Sequence, residues 1–153
     1  MKLSVRDISE IVAVCSVVVS LIFIGLEFRQ NTIAMRASAY QELGLATANI
    51  LFSQSLDPEI LSGYGAGNEG LEEFQALPTD LAVRTRQSMR GTLRVYETIY
   101  LQVQLGLLEP EALNYLGWGT YKNNAWLKNL WPILNYDMSN EFIQHIEDSW
   151  VTD

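Results

Sequence analysis

Three arginines at four-residue intervals form the most distinctive polar pattern in this 153-residue chain. Arg86, Arg90 and Arg94 would share one face of a helix, because side chains four residues apart lie one turn apart. Such a stripe could bind a phosphate, a lipid head group or an acidic partner. The alternative is that the guanidinium groups pair with acids of neighbouring helices or are simply solvated. These three residues are the candidate contact for an anion or a partner.

The single histidine offers little further chemistry. Glu141 and His145 lie one helical turn apart, a spacing compatible with two metal ligands, but di-iron carboxylate bundles need two Glu-x-x-His pairs. No recognisable sequence pattern pairs His145 with a nucleophile, so we do not expect it to act as a general base. We therefore predict no catalytic residue, no metal site and no cofactor, and we do not expect an enzyme.

A glycine-rich segment matches the sequence of a phosphate-binding motif but not the structural context that the motif needs. Gly65–Gly70, GAGNEG, fits G-x-G-x-x-G, which works where a strand feeds the first glycine and a helix begins at the phosphate. No strand is predicted before Gly65, and Glu69 would repel an anion. We interpret residues 63–70 as a mobile loop.

The uncharged run from Ile11 to Leu26, IVAVCSVVVSLIFIGL, is more informative about the protein than any of its polar patterns. As a helix it would cover roughly 24 Å, slightly less than the roughly 30 Å of a bilayer core. Apolar side chains surround the helix axis, and a chain of this length has little material to enclose such a helix. We expect a membrane span rather than a buried core helix.

A cleaved signal peptide is the third interpretation of this run. Asp7 and Glu10 stand where a basic leader is expected, and the A-x-A pattern at residues 37–39 lies too far downstream. An uncleaved anchor fits better. The positive-inside rule gives no orientation, because equal numbers of basic residues flank the run. Lys2 and Arg6 precede it, and Arg29 and Arg36 follow it.

Three segments follow from this placement: a short tail at residues 1–10, a transmembrane helix at residues 11–28 and a helical extramembrane domain at residues 29–153. No proline interrupts the chain from Glu27 to Phe52, so we predict one helix from about Ser4 to about Ser53 that continues as a stalk. Apolar residues at three- and four-residue spacing give the stalk one packing face. They are Ile33, Ala37, Tyr40, Leu43 or Gly44, Thr47, and Ile50 or Leu51.

The rest of the chain is also predicted to be helical, with no sustained alternation typical of strands. Asp57-Pro58-Glu59 begins a helix of one or two turns, and a long helix is expected from Thr79 to Leu105. Shorter helices are expected from Glu109 to an end around Gly117 to Gly119, from Lys122 to Trp131 with Pro132 as terminator, and after Ser139 as N-cap. A packing seam at coiled-coil spacing runs along the long helix. Its members are Met89, Leu93, Tyr96, Tyr100 and Val103. The predicted fold class is all-α, an irregular antiparallel bundle beside the stalk.

Composition limits the partners. A formal net charge of −8 argues against binding nucleic acid through bulk electrostatics. The single Cys15 excludes an internal disulfide and is expected to be a packing residue. All four tryptophans fall in the last third of the chain. Core packing is the expected role of these rings, with interfacial contact or a ligand pocket as alternatives.

The junction Gly25–Thr32, GLEFRQNT, follows the apolar run directly, and Tyr100–Leu108 fits Y-x-x-x-x-x-G-x-L. In these features the chain resembles a group of uncharacterised small bacterial proteins with one N-terminal span, an RQNT-like juxtamembrane segment and a helical domain. The resemblance implies a single-pass protein of the bacterial inner (plasma) membrane and implies no activity. Arg29, Gln30 and Asn31 suit the water–lipid boundary, where they can bond to head groups or to a neighbouring chain.

We therefore expect a membrane-anchored helical accessory or scaffold protein that acts through protein–protein contact or oligomerisation. Its expected partners are membrane lipid and either a second copy of the chain or another membrane protein. The stalk and the Met89–Val103 seam are the expected packing surfaces. The alternative is a membrane-tethered sensor or binder of a small anion or lipid head group at the arginine stripe.

Overall fold

The computed structural model describes residues 5–151 and confirms the all-α class. No strand occurs within residues 5–151. The chain divides into two compact units, Met1–Ser38 and Ala39–Asp153. The helices are α1 (Val5–Ser55), α2 (Pro58–Glu69), α3 (Leu71–Gln75), α4 (Thr79–Gln104), α5 (Ala112–Tyr115), α6 (Trp118–Tyr121), α7 (Ala125–Leu134) and α8 (Asn140–Val151).

Helix α1 is one uninterrupted helix, as predicted, and ends at Ser55. Its predicted first residue, Ser4, lies outside the described residues. The hydroxyl of Thr32 donates to the carbonyl of Phe28 at 2.9 Å, a bond typical of a helix interior. Within residues 5–151, α1 is the one helix long and apolar enough to cross a membrane, and none of its most apolar 18-residue window is buried.

Helix α2 corrects one prediction from sequence. Its start is as predicted, because the Asp57 carboxylate accepts hydrogen bonds from the amides of Glu59 at 3.0 Å and Ile60 at 3.2 Å. The glycine-rich segment is not a loop, however, but the second half of this helix, to Glu69. Gly63 and Gly67 are buried and lie one turn apart. Tight packing against these bare positions offsets the low helix propensity of glycine.

Helix α4 matches the prediction closely and ends at Gln104. Gly106 follows with φ +70°, and the amide of Leu107 donates to the carbonyl of Gln102 at 3.0 Å. This is a Schellman C-cap, which needs a left-handed residue and so favours glycine. Leu108 then enters the core at 3% exposure. The Y-x-x-x-x-x-G-x-L pattern therefore records a helix end followed by a core residue.

Two helices near the C-terminus differ from prediction. The helix expected from Glu109 to an end around Gly117 to Gly119 is instead two short helices, α5 and α6, which Gly117 at φ +101° separates. Helix α7 starts at Ala125 and contains Pro132 in its last turn, so Pro132 does not terminate it. Pro132 and Lys128 are both exposed, and water can bond to the carbonyl of Lys128 that proline leaves unpaired.

Helix α8 lies where predicted, but its expected cap is not used. Ser139 directly precedes the helix, and its hydroxyl is buried without a hydrogen-bond partner among the described residues. The amide of Ile143 donates to the carbonyl of Ser139 at 3.0 Å.

The core of the second unit is built around the predicted seam of α4. Met89 and Leu93 are fully buried and Tyr96 is 3% exposed, so these residues pack inside the chain. Helices α7 and α8 supply much of the opposing surface, and α1 contributes Leu43. The fully buried partners include Leu127, Leu130, Leu134, Phe142 and Ile146.

Candidate functional site

The arginine stripe lies on α4, and two of its three members converge on Asp137, which follows α7. Arg90 forms an ion pair with the Asp137 carboxylate. Arg94 contacts the same carboxylate at 2.9 Å and donates to the Asp137 carbonyl at 2.5 Å. The guanidinium of Arg90 also lies over the ring of Tyr136, 4.4 Å from its centroid. For Arg90 and Arg94, the structure therefore has the intramolecular pairing considered as the alternative to anion binding.

A buried carboxylate extends this cluster to Ser139, the residue before α8. Glu97 is 5% exposed, and its two oxygens accept from Arg94 at 2.5 Å and from the Ser139 amide at 2.6 Å. Burying a carboxylate is costly unless such bonds are made. The cluster of Arg90, Arg94, Glu97 and Asp137 thus ties α4 to the segment between α7 and α8.

The electrostatics of the cluster follow from these contacts. Partial burial alone would raise the pKa of Asp137, but the hydrogen bond from Arg94 and the charge of Arg90 outweigh it, so the pKa is lowered. The hydrogen bond to Glu97 raises the pKa of Arg94. Both ion pairs therefore persist across the neutral range.

Arg86, the first member of the stripe, is placed differently. It is half-buried, and its Nε is buried without a hydrogen-bond partner among the described residues. It lines a groove formed by α3, the start of α4 and Ile133 of α7. The neighbouring Arg84 instead bridges to α2, where it contacts Asp57 and Glu59, each at 2.7 Å. The stripe is thus not one binding surface but two separate environments, the Asp137 cluster for Arg90 and Arg94 and the groove for Arg86.

A second concavity of the second unit is lined by hydroxyl, amide and aromatic groups. Its volume is about 430 Å³, and it is lined in part by Gln54, Tyr96 and Tyr121. Gln54 donates to Thr92 at 2.8 Å. Burial raises the pKa of Tyr121 well above its ordinary value and that of Tyr96 to about 12, so both phenols stay neutral. None of the residues that line it is charged.

The aromatic residues of the last third serve the core in large part, as expected. Trp118, Trp126 and Trp131 are 3 to 6% exposed. The indole N–H of Trp131 donates to Glu147 at 2.8 Å, and that of Trp150 donates to the Lys122 carbonyl at 3.1 Å. Tyr115 and Tyr136 are exceptions at 76% and 67% exposure.

His145 is a packing residue in this structure. Its ring stacks on Tyr100 with centroids 4.7 Å apart, and burial lowers its pKa. Glu141 is exposed. No group of three or more His, Cys, Asp or Glu side chains suited to a metal ion occurs among the described residues.

The juxtamembrane residues belong to the first unit. Arg29, Gln30 and Asn31 are exposed and continue α1 without a break. Asn31 and Thr32 could cap a new helix if α1 broke at this point, but the helix runs on through both. Their proposed place at a lipid boundary stays a prediction.

Sequence reasoning missed Asp137 and the outer face of α1. Asp137 lies between helices, where no periodicity marks it. The outer face consists of exposed residues at three- and four-residue spacing, and this spacing was a signal that could have been found. It is formed by Leu45, Ala48 and Phe52 of α1 and by Leu56, which directly follows the helix.

Comparisons of the chain with protein-family models, with curated proteins and with solved structures found no match.

Proposed function

We propose that the chain is a single-pass protein of the bacterial inner membrane, and that it acts as a helical accessory or scaffold by contact with other protein chains. The observation that carries this proposal is the amount of apolar surface that α1 leaves uncovered. Two parts of the helix contribute, the Ile11–Leu26 run and the outer face of its C-terminal segment.

The first part supports membrane anchoring. The large apolar side chains of Ile11–Leu26 are 48 to 67% exposed, and the described part of the first unit contains no second helix to cover them. A soluble core helix of this composition would be mostly buried. Contact with hydrocarbon removes this surface from water, and the helix satisfies its own backbone hydrogen bonds there.

The second part supports contact with another chain. In the second unit, α1 has two apolar faces on opposite sides, because 100° separates successive residues of a helix. The inner face packs on the core through Leu43, which is 6% exposed. The outer face exposes 57% of Leu45, 69% of Phe52 and 70% of Leu56. An aligned apolar stripe of this kind is typical of a helix that packs against a partner helix.

The alternative, an anion sensor that uses all three stripe arginines, has less support. Arg90 and Arg94 are already neutralised by Asp137 and Glu97. An incoming anion would have to displace these carboxylates.

Replacement of the outer face tests the proposed role. The full chain in detergent micelles should have a protein mass of at least a dimer by light scattering coupled to size-exclusion chromatography. Phe52→Gln with Leu56→Gln should reduce it to that of a monomer, or should abolish co-purification of a partner membrane protein. The control is Leu105→Gln, because Leu105 is 74% exposed but lies outside the outer face.

Unchanged mass and unchanged co-purification for the outer-face variant would contradict the proposal. Equal losses in the control would also contradict it, because general loss of apolar surface would then be the cause.

A further inference from the structure

The groove beside Arg86 takes no part in the membrane anchoring or the chain contact proposed above. It has a volume of about 280 Å³, near the small end of ligand pockets, which span about 300–1,000 Å³. Phe74 forms part of its floor at 3% exposure, and Leu77, Ala82 and Ile133 are half-buried around it. The groove is therefore largely aliphatic and aromatic, with one cation at its side.

Arg86 differs from the other arginines of α4 in lacking a counter-ion. Arg84, Arg90 and Arg94 each form ion pairs with carboxylates of the chain. Among the described residues Arg86 makes no ion pair, and its buried Nε makes no hydrogen bond. A half-buried guanidinium without a counter-ion is costly, and a carboxylate that a ligand brings to its terminal nitrogens would offset that cost.

The surroundings select the kind of anion. No Asp or Glu lines the groove, although acids outnumber basic residues 18 to 10 in the whole chain. Guanidinium is planar and binds a carboxylate through two parallel hydrogen bonds. The apolar walls favour a ligand whose remaining part is a hydrocarbon chain.

We propose that this groove binds a small aliphatic carboxylic acid, with its carboxylate on Arg86 and its chain against Phe74, Leu77 and Ile133. This site does not depend on the outer face of α1 or on the membrane anchor. Its failure would leave the contact role untouched, and the reverse also holds.

The test is a titration of the full chain in micelles of an uncharged detergent with octanoate labelled with ¹³C at the carboxylate. The carboxylate resonance should shift with saturation in the unmodified protein. Arg86→Gln should weaken binding about tenfold or more, which is the effect expected from loss of a charge-assisted hydrogen-bond pair. Arg86→Lys should give an intermediate affinity, because it keeps the charge without the planar pair of donors.

Arg84→Gln is the matched control, since it removes the same charge from the same helix. It should bind octanoate like the unmodified protein, and partition of octanoate into micelles is the same for every variant. Circular dichroism would establish that each variant is folded. 1-Octanol, which lacks the charge, and acetate, which lacks the chain, should both bind at least tenfold more weakly than octanoate.

Several results would overturn the proposal. One is the absence of saturable octanoate binding, and another is an equal loss in Arg84→Gln and Arg86→Gln. Competition by inorganic phosphate as effective as that by octanoate would also overturn it, because the site would then be a bare anion site without use of the apolar walls.

Discussion

Asp137 is the residue on which two arginines of the predicted stripe converge, and its charge state should govern acid stability. Its pKa is lowered in the folded chain, so the unfolded chain binds a proton more readily. The contribution of Asp137 to stability is therefore complete above the ordinary aspartate pKa. It is lost as the pH falls from about 4 through the lower folded value.

This gives a prediction at the residue scale. Asp137→Asn should lower the free energy of unfolding at pH 7, because Arg90 and Arg94 lose a shared carboxylate. The difference between the variant and the unmodified protein should shrink as the pH falls below about 4. The measurement is denaturant unfolding in micelles at pH 7, 5 and 3. The control is Glu42→Gln, at an exposed position of α1, which should change the free energy of unfolding at pH 7 very little. A difference that grows towards pH 3 would contradict the assignment.

At the scale of elements, α2 depends on two glycines that bring it against α4 and α7. A Cβ added at Gly63 would lie 2.7 Å from Cγ2 of the fully buried Thr85, and one at Gly67 would lie 2.9 Å from Leu130. Gly65 lies in the same helix, and nothing is within 4 Å of its added Cβ. Gly63 and Gly67 therefore permit close packing and Gly65 does not, although the three glycines are evenly spaced.

Opposite effects are expected for two alanine substitutions in this one helix. Gly63→Ala should destabilise the fold by about 1–3 kcal/mol, since overpacking exceeds the gain in helix propensity. Gly65→Ala should stabilise it by about 0.5–1 kcal/mol. Thermal unfolding followed by circular dichroism measures both effects.

A compensating substitution separates a clash from a general loss of stability. Adding Thr85→Ala to Gly63→Ala should recover part of the loss, because the hydroxyl of Thr85 has no hydrogen-bond partner among the described residues. Destabilisation by Gly65→Ala, or no recovery in the double variant, would argue against close packing of α2 on α4.

At the scale of the whole molecule, the proposed anchor can be tested with the one cysteine of the chain. Cys15 lies within the uncharged run, and no protein atoms bury its side chain. A thiol reacts with maleimide as the thiolate, which hydrocarbon does not stabilise. Cys15 should therefore be unreactive if lipid surrounds it and reactive if water does.

We expect a membrane-impermeant maleimide to leave Cys15 unlabelled in intact membrane vesicles and in vesicles made permeable. Dissolution in sodium dodecyl sulfate with heating should restore labelling. The control is Cys15→Ser with Ser53→Cys, because Ser53 is exposed and lies beyond the run. This variant should be labelled, and the vesicle orientation that permits labelling assigns the side of the second unit. Ready labelling of Cys15 in intact vesicles would contradict the anchor.

Local pattern was enough to predict the class of fold and several element ends. The Asp57 cap, the α4 boundaries and the proline-free course of α1 depend on neighbours in sequence, so they could be predicted without the fold. The Met89–Val103 seam was also recognisable, since apolar periodicity marks a face that must be covered. The periodicity does not predict whether the chain itself or a partner covers that face.

Only the tertiary structure determined the conformation of the glycine-rich segment and the surroundings of the three arginines. Residues 63–70 form a helix because α4 and α7 pack against positions without side chains, and sequence propensity does not register such packing. Arg86, Arg90 and Arg94 look equivalent along α4, yet only the fold brings Asp137 to the latter two and leaves Arg86 beside an apolar groove. The energy of a charge depends on what surrounds it in space, and residues distant in sequence supply those surroundings.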